Sequence, residues 1–185
     1  VMSERQYRQA VWLSILYKLN IGDPTQMINR MLSWLKGEKE ADIMQLSEEI
    51  FNDRIKKTIR PEILNSIQEH RSKNGSVVLL SSATTPICLP VTRYMKLDEM
   101  ICTMLESENG ILTGHTSCKL VYGPEKKVRM LQFCEEKGCD PLKAWYYGDS
   151  HTDRYVMEAV GNPVAVSPDK RLRKIAAKHN WPILL

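Results

Sequence analysis

The chain has 185 residues, of which 43% are hydrophobic and 26% charged, as in a soluble globular protein of one ordinary domain plus a small insert or cap. Its 26 basic and 22 acidic residues leave a net charge of +4 that is spread along the sequence. That excludes the basic tail or stripe of a nucleic-acid binder and is compatible with a small anionic substrate.

Before Arg60-Pro61 the chain reads as helices. Trp12, Ile15, Leu16 and Leu19 fall at helical spacing, and so do Met27, Met31, Leu32 and Leu35. Gly22-Asp23-Pro24 separates the two, with Asp23 or Thr25 as candidate cap, and Lys36-Gly37-Glu38 ends the second. A third helix is expected from about Ala41 to Ile55, with Ile43, Leu46, Ile50 and Phe51 on one side.

After Arg60 helices and strands alternate. Pro61 suits a first helical position; Ile63, Leu64 and Ile67 give that helix its apolar face, and Lys73-Asn74-Gly75 ends it. Val77-Val78-Leu79-Leu80 reads as a strand buried on both faces. A helix from Pro86 to Met95, a short strand from Met100 to Leu105 and a hairpin or flap over Gly110–Tyr122 follow. Glu125–Lys137 is a helix with Val128, Leu131 and Cys134 inward. Ala144-Trp145-Tyr146-Tyr147 is a second buried strand, Pro163-Val164-Ala165-Val166 a third, and Leu172–His179 a closing helix. The alternation predicts an α/β fold with a parallel sheet in residues 59–185, and a helical layer in residues 1–58.

The five cysteines, Cys88, Cys102, Cys118, Cys134 and Cys139, are odd in number and include no C-x-x-C, so free thiols are expected. No stretch approaches the ~20 apolar residues of a membrane span. Val1–Arg8 lacks the apolar core of a signal peptide. These features predict a cytoplasmic protein with no membrane and no nucleic-acid partner, and leave its oligomeric state open.

In an open α/β sheet, ligands sit beyond the carboxyl ends of the strands. The first strand runs into Ser81-Ser82-Ala83-Thr84-Thr85 and a helix. Hydroxyls and backbone N–H groups there can cradle a phosphate, or simply cap the helix. The second strand ends in Gly148-Asp149-Ser150-His151-Thr152-Asp153. Two carboxylates four residues apart can face one pocket and offer hard oxygen ligands to Mg²⁺; the alternative is a capping turn. Between these segments, Gly123-Pro124-Glu125-Lys126-Lys127 opens a helix. A lysine there can neutralise phosphate or hold a carboxylate, or be a solvated side chain. Lysine at a helix N-terminus opposes the macrodipole, which hints at another reason for it.

Taken in order, the three segments resemble the haloacid dehalogenase superfamily, and within it the phosphoserine-phosphatase-like branch. The resemblance runs from about Arg60 to Leu185. It includes Leu80-Ser81-Ser82-Ala83-Thr84, Thr103-Met104-Leu105-Glu106, Asn109-Gly110-Ile111-Leu112-Thr113-Gly114, Tyr146-Tyr147-Gly148-Asp149-Ser150, Val160-Gly161-Asn162-Pro163 and Ala165-Val166-Ser167-Pro168-Asp169. It implies a three-layer, Rossmann-like parallel sheet with a helical cap inserted after the first strand. It also implies a Mg²⁺-dependent phosphatase acting on a small phosphorylated metabolite. In that family pattern Ser81 binds the transferring phosphoryl group and Ser82 adds a backbone N–H. Lys126 is the active-site lysine, with Lys127 as alternative. Asp149 is a Mg²⁺ ligand, and Asp153 orients the lysine or a metal-bound water.

The family's nucleophile lies in a D-x-D-x-T segment at the end of the first, central strand, and no D-x-D occurs in these 185 residues. The resemblance therefore places that strand upstream of Val1. The rival expectation is a catalytically inactive phosphate- or partner-binding module of the same fold.

Overall fold

A computed structural model describes residues 24–185. The expected helix around Trp12–Leu19, and Asp23, lie outside them. The chain divides into two compact units. One takes in the described residues up to Leu79 together with Ala83–Leu120, and the other Leu80–Ser82 together with Val121–Leu185. The change of character at Arg60-Pro61 falls within the first unit.

In the first unit, α1 (Pro24–Leu32) runs into a tight turn at Ser33–Leu35, and α2 spans Glu40–Ile50. A wider turn, Phe51–Ile55, and a tight one, Lys56–Thr58, extend α2 to the length expected from the sequence. Its inward stripe differs from the expected one. Ser47 and Phe51 are buried, whereas Leu46 and Ile50 are exposed. The helix turns this way because Ile43, Ser47 and Phe51 recur every fourth residue. The Ser47 hydroxyl is satisfied by the Ile43 carbonyl at 2.8 Å, so it can be buried without cost. Phe51 then meets the Tyr94 ring at 5.5 Å between centroids.

α3 (Pro61–Ser72) starts on its proline, as expected. β1 covers Val78–Thr84, α4 Thr85–Tyr94 and β2 Glu99–Thr103, and β1 pairs with β2. β1 is half-buried throughout, not buried on both faces. The hairpin forms one strand earlier than the sequence pattern placed it: β3 (Leu105–Glu108) pairs antiparallel with β4 (Ile111–Thr116). Its turn is Asn109-Gly110, with φ of 51° and 77°. Two successive left-handed residues match the twist of a hairpin, and Asn-Gly is the pair that adopts them most readily.

The second unit is an α/β layer. α5 is Pro124–Lys137, β5 Trp145–Gly148, α6 Arg154–Met157, β6 Asn162–Val166, α7 Lys170–His179 and β7 Ile183–Leu184. β5, β6 and β7 form a parallel sheet in that order, with Tyr147 opposite Val164 and Ala165 opposite Ile183. β7 has no counterpart in the sequence reading, because two residues carry no periodicity. β5 is covered less than expected: Tyr146 packs inward, but Trp145 is half exposed.

Val156, Leu172, Ala165 and Ala176 are wholly buried and Met157 nearly so. Side chains as large as Leu172 and Met157 each contribute about 1.5–3 kcal/mol by leaving water. Met130, Cys134, Val156 and Val160 form a neighbouring cluster on which Leu80, Ala144 and Tyr146 pack. On α5, Cys134 is inward as expected, whereas Val128 and Leu131 are exposed. The buried stripe is Lys126, Met130 and Cys134, again every fourth residue. A polar residue heads it, which hides the stripe from a reading of apolar periodicity.

Gly161 joins β6 to the turn Pro141–Lys143. Its N–H donates to the Pro141 carbonyl at 3.1 Å, and a methyl on it would lie 2.6 Å from the Leu142 carbonyl carbon. Gly161→Ala should therefore lower stability by about 1–3 kcal/mol, read as a shift in the urea midpoint. An unchanged midpoint would contradict this packing.

All five cysteines are free thiols, as expected. Among the described residues no helix is long and apolar enough to cross a membrane.

Candidate active site

The site is built on the turn that leaves β5. Ser150 sits at the start of the helical turn His151–Asp153, and its hydroxyl accepts the Thr152 N–H at 3.4 Å. Asp153 answers by accepting the Ser150 N–H at 3.1 Å, which completes a reciprocal capping box. The two readings of this turn thus fall on different residues. Ser150 and Asp153 make the cap, whereas the Asp149 carboxylate is exposed where β5 ends.

Asp153 is 3% exposed and meets four donors. One oxygen, Oδ2, accepts the N–H groups of Asp149 at 3.2 Å and Ser150 at 3.1 Å. The other, Oδ1, accepts Lys126 Nζ at 2.6 Å and the Tyr146 hydroxyl at 3.0 Å. A carboxylate has about four lone-pair positions, so Asp153 is saturated. That suits it to hold Lys126 in place, not to take a metal directly. Burial first, and the Asp153 charge second, push the Tyr146 phenol well above its ordinary value, so it stays a protonated donor.

Lys126 is 7% exposed, in the first turn of α5, while Lys127 is exposed. The pair with Asp153 explains a lysine at this helix start: the buried carboxylate outweighs the unfavourable macrodipole. Gly148 makes room for the arrangement. A methyl there would lie 2.8 Å from Asp153 Cβ and 3.1 Å from Tyr146 Cε1.

Ser81 and Ser82 lie within β1, and α4 begins only after Thr84, whose side chain makes no capping bond. Neither serine occupies the cap position of that helix, which is Thr84. They belong to the same compact unit as Lys126, Asp149 and Asp153, and their neighbour Leu80 packs on Met130, Cys134, Val156 and Val160.

Sequence reasoning did not assign roles to Tyr146 and Asp169. Tyr146 is inward in a short strand, a placement that alternation alone does not tell apart from Tyr147. Asp169 was legible as a helix cap, since it directly precedes the apolar spacing of Leu172 and Ala176. It accepts the Arg171 and Leu172 N–H groups at 2.8 and 2.7 Å and the His151 N–H at 2.8 Å. Burial acts to raise its carboxyl, but the N–H groups of Leu172 and His151, with the His151 ring and the Arg171 N–H, outweigh this and hold it below the usual range.

Among the described residues no three His, Cys, Asp or Glu side chains gather into a metal cage. One exposed carboxylate, Asp149, at the end of a parallel strand fits Mg²⁺, which binds few protein carboxylates and takes its other ligands from water and substrate phosphate.

A family model described as haloacid dehalogenase-like hydrolase matches residues 3–158. The chain belongs to this family. Among curated proteins it is 28% identical over 189 residues to the inhibition of morphological differentiation protein of Streptomyces azureus, covering 100% of this chain and 68% of that protein. It is 27% identical over 177 residues to phosphoserine phosphatase SerB1 of Mycobacterium tuberculosis, covering 96% and 57%. The chain thus spans about three fifths of the length of such relatives. A crystal structure of a protein of unknown function from Bordetella pertussis Tohama I superposes with a TM-score of 0.88 at 22% identity, over 97% of this chain and 82% of that one. The fold is the α/β fold expected from the sequence.

Proposed function

We propose that the full protein is a Mg²⁺-dependent phosphomonoester hydrolase acting on a small phosphorylated metabolite in the cytoplasm. The observation that carries this reading is the buried Lys126–Asp153 pair, tied by the Asp149 and Ser150 N–H groups to the turn that presents Asp149. A carboxylate buried to hold a lysine, beside an exposed carboxylate at a strand end, is an arrangement for binding phosphate with a cation. The names of relatives such as phosphoserine phosphatase SerB1 point the same way.

In this reading the Ser81 hydroxyl and the Ser82 N–H hold the phosphoryl oxygens. Lys126 neutralises their charge, and Asp153 and Tyr146 keep its ammonium oriented. Asp149 would hold Mg²⁺, which when bound supplies further charge neutralisation to the phosphoryl group. The nucleophile is an aspartate in a D-x-D-x-T segment encoded before Val1. It attacks phosphorus to give an aspartyl-phosphate, and the segment's second aspartate protonates the leaving alcohol and then activates the hydrolytic water. Residues 1–58 would form the cap that excludes water.

The test is p-nitrophenyl phosphate hydrolysis by the full-length protein. Activity should require Mg²⁺ and disappear in EDTA. Asp149→Asn should lose at least a hundredfold in rate, on the order of one missing charge-stabilising group, with its melting temperature unchanged because the side chain is exposed. Activity retained in that variant would remove Asp149 from the metal site. Inactivity of the unaltered protein on a broad panel of phosphomonoesters would favour an inactive binding module.

A further inference from the structure

We infer that Asp169 is a positioning residue for the metal carboxylate: it grips the acidic turn on both sides of Ser150 and so sets where Asp149 points. The inference rests on the proposed reading of Asp149 as a Mg²⁺ ligand.

Asp169 lies on the loop between β6 and α7, and its contacts run in two directions. Toward the turn, its backbone N–H donates to the Asp149 carbonyl at 2.9 Å. Its Oδ2 accepts the His151 N–H at 2.8 Å and lies 3.3 Å from His151 Nδ1. Residues 149 and 151 are thus held from one point. Toward the core, Oδ1 accepts the Arg171 and Leu172 N–H groups at 2.8 and 2.7 Å. These open α7, whose Leu172 and Ala176 are wholly buried against Met157 and Ala165. The grip is therefore anchored in the buried core of the unit.

Capping α7 needs only one carboxylate oxygen. The second oxygen does a different job, and the residue it holds is two positions from Asp149. From inside the turn, Asp153 holds the Asp149 N–H. From outside it, Asp169 holds the Asp149 carbonyl. Together they fix the peptide groups on both sides of the Asp149 Cα. Residues that orient a metal ligand typically cost 10- to 100-fold in metal affinity when altered.

Asp169→Asn separates the two jobs. Asparagine caps a helix about as well as aspartate, through Oδ1. Its amide nitrogen takes the place of Oδ2 and cannot accept from the His151 N–H. The measurement is Mg²⁺ affinity by isothermal titration calorimetry on the full-length protein, alongside thermal melts and the kcat and KM of phosphate release. The expected result is Mg²⁺ binding weakened about 10- to 100-fold with the melt close to that of the unaltered protein. Asp169→Ser, which also caps but is too short to reach His151, should give the same loss. Unchanged Mg²⁺ affinity in a folded Asp169→Asn or Asp169→Ser would overturn the inference. So would a loss of affinity that merely parallels a lowered melt in both variants, the sign of a structural cap. If Asp149→Asn itself leaves Mg²⁺ binding intact, the underlying metal reading fails first, and the two failures are told apart by that control.

Discussion

Lys126→Met in the full-length protein should cost about 3–5 kcal/mol of stability and abolish phosphate release. Lys126 and Asp153 are 7% and 3% exposed, and the ammonium is the only full positive charge on the Asp153 carboxylate among the described contacts. Without it a buried anion faces one hydroxyl and two N–H groups. Breaking a buried pair from one side carries a penalty of this size, because it is the remaining charge that suffers. The companion change decides the interpretation. Lys126→Met combined with Asp153→Leu removes both charges and should recover much of the lost stability while activity stays absent. A single-variant cost below about 1 kcal/mol, typical of an exposed pair, would mean that the two side chains are not buried together. Urea denaturation reads both variants.

Gly148→Ala should lower both catalysis and stability. The added methyl would sit 2.8 Å from Asp153 Cβ, a distance that real Cβ contacts essentially never show. Neither neighbour can yield cheaply: Asp153 is held by four donors, and Tyr146 packs on the cores on both sides of it. The strain falls on the link between Lys126 and the turn. A displacement of about 1 Å can cost on the order of a hundredfold in rate. The expected outcome is a kcat lowered about a hundredfold with stability reduced by about 1–3 kcal/mol. A variant with unchanged kcat would show that the turn tolerates movement and that Asp153 need not be fixed.

Much of the fold was legible because the second unit obeys simple rules. The strand-to-helix alternation from Glu125 onward gave a parallel sheet, and β5, β6 and α7 fall within two residues of their expected bounds. Misreadings arose where polar residues face inward. On α5 the buried stripe is headed by Lys126, and on α2 it includes Ser47; in each case apolar spacing pointed to the neighbouring face, Val128 and Leu131 or Leu46 and Ile50. The polar residues are inward because each has a partner, Asp153 for Lys126 and the Ile43 carbonyl for Ser47, and partners distant in sequence cannot be read from periodicity. The same limit hid Tyr146, whose partner is seven residues away, and the second role of Asp169, whose partner His151 is eighteen residues away. The sequence pointed to Lys126 over Lys127 only through its resemblance to a family. In the fold Lys126 is the buried one, and Asp153 is the reason.

In the proposed function this chain would supply the phosphate-binding and metal-binding side of a phosphatase whose nucleophile is an aspartate encoded ahead of Val1. The most direct measurement is acid quench of the full-length protein during turnover of a phosphomonoester with Mg²⁺, followed by peptide mapping by mass spectrometry. A phosphoryl group is expected on an aspartate N-terminal to Val1, labile to hydroxylamine, and none in Asp149→Asn. A phosphoryl group on Ser81, or turnover with no phosphorylated upstream aspartate, would contradict this reading.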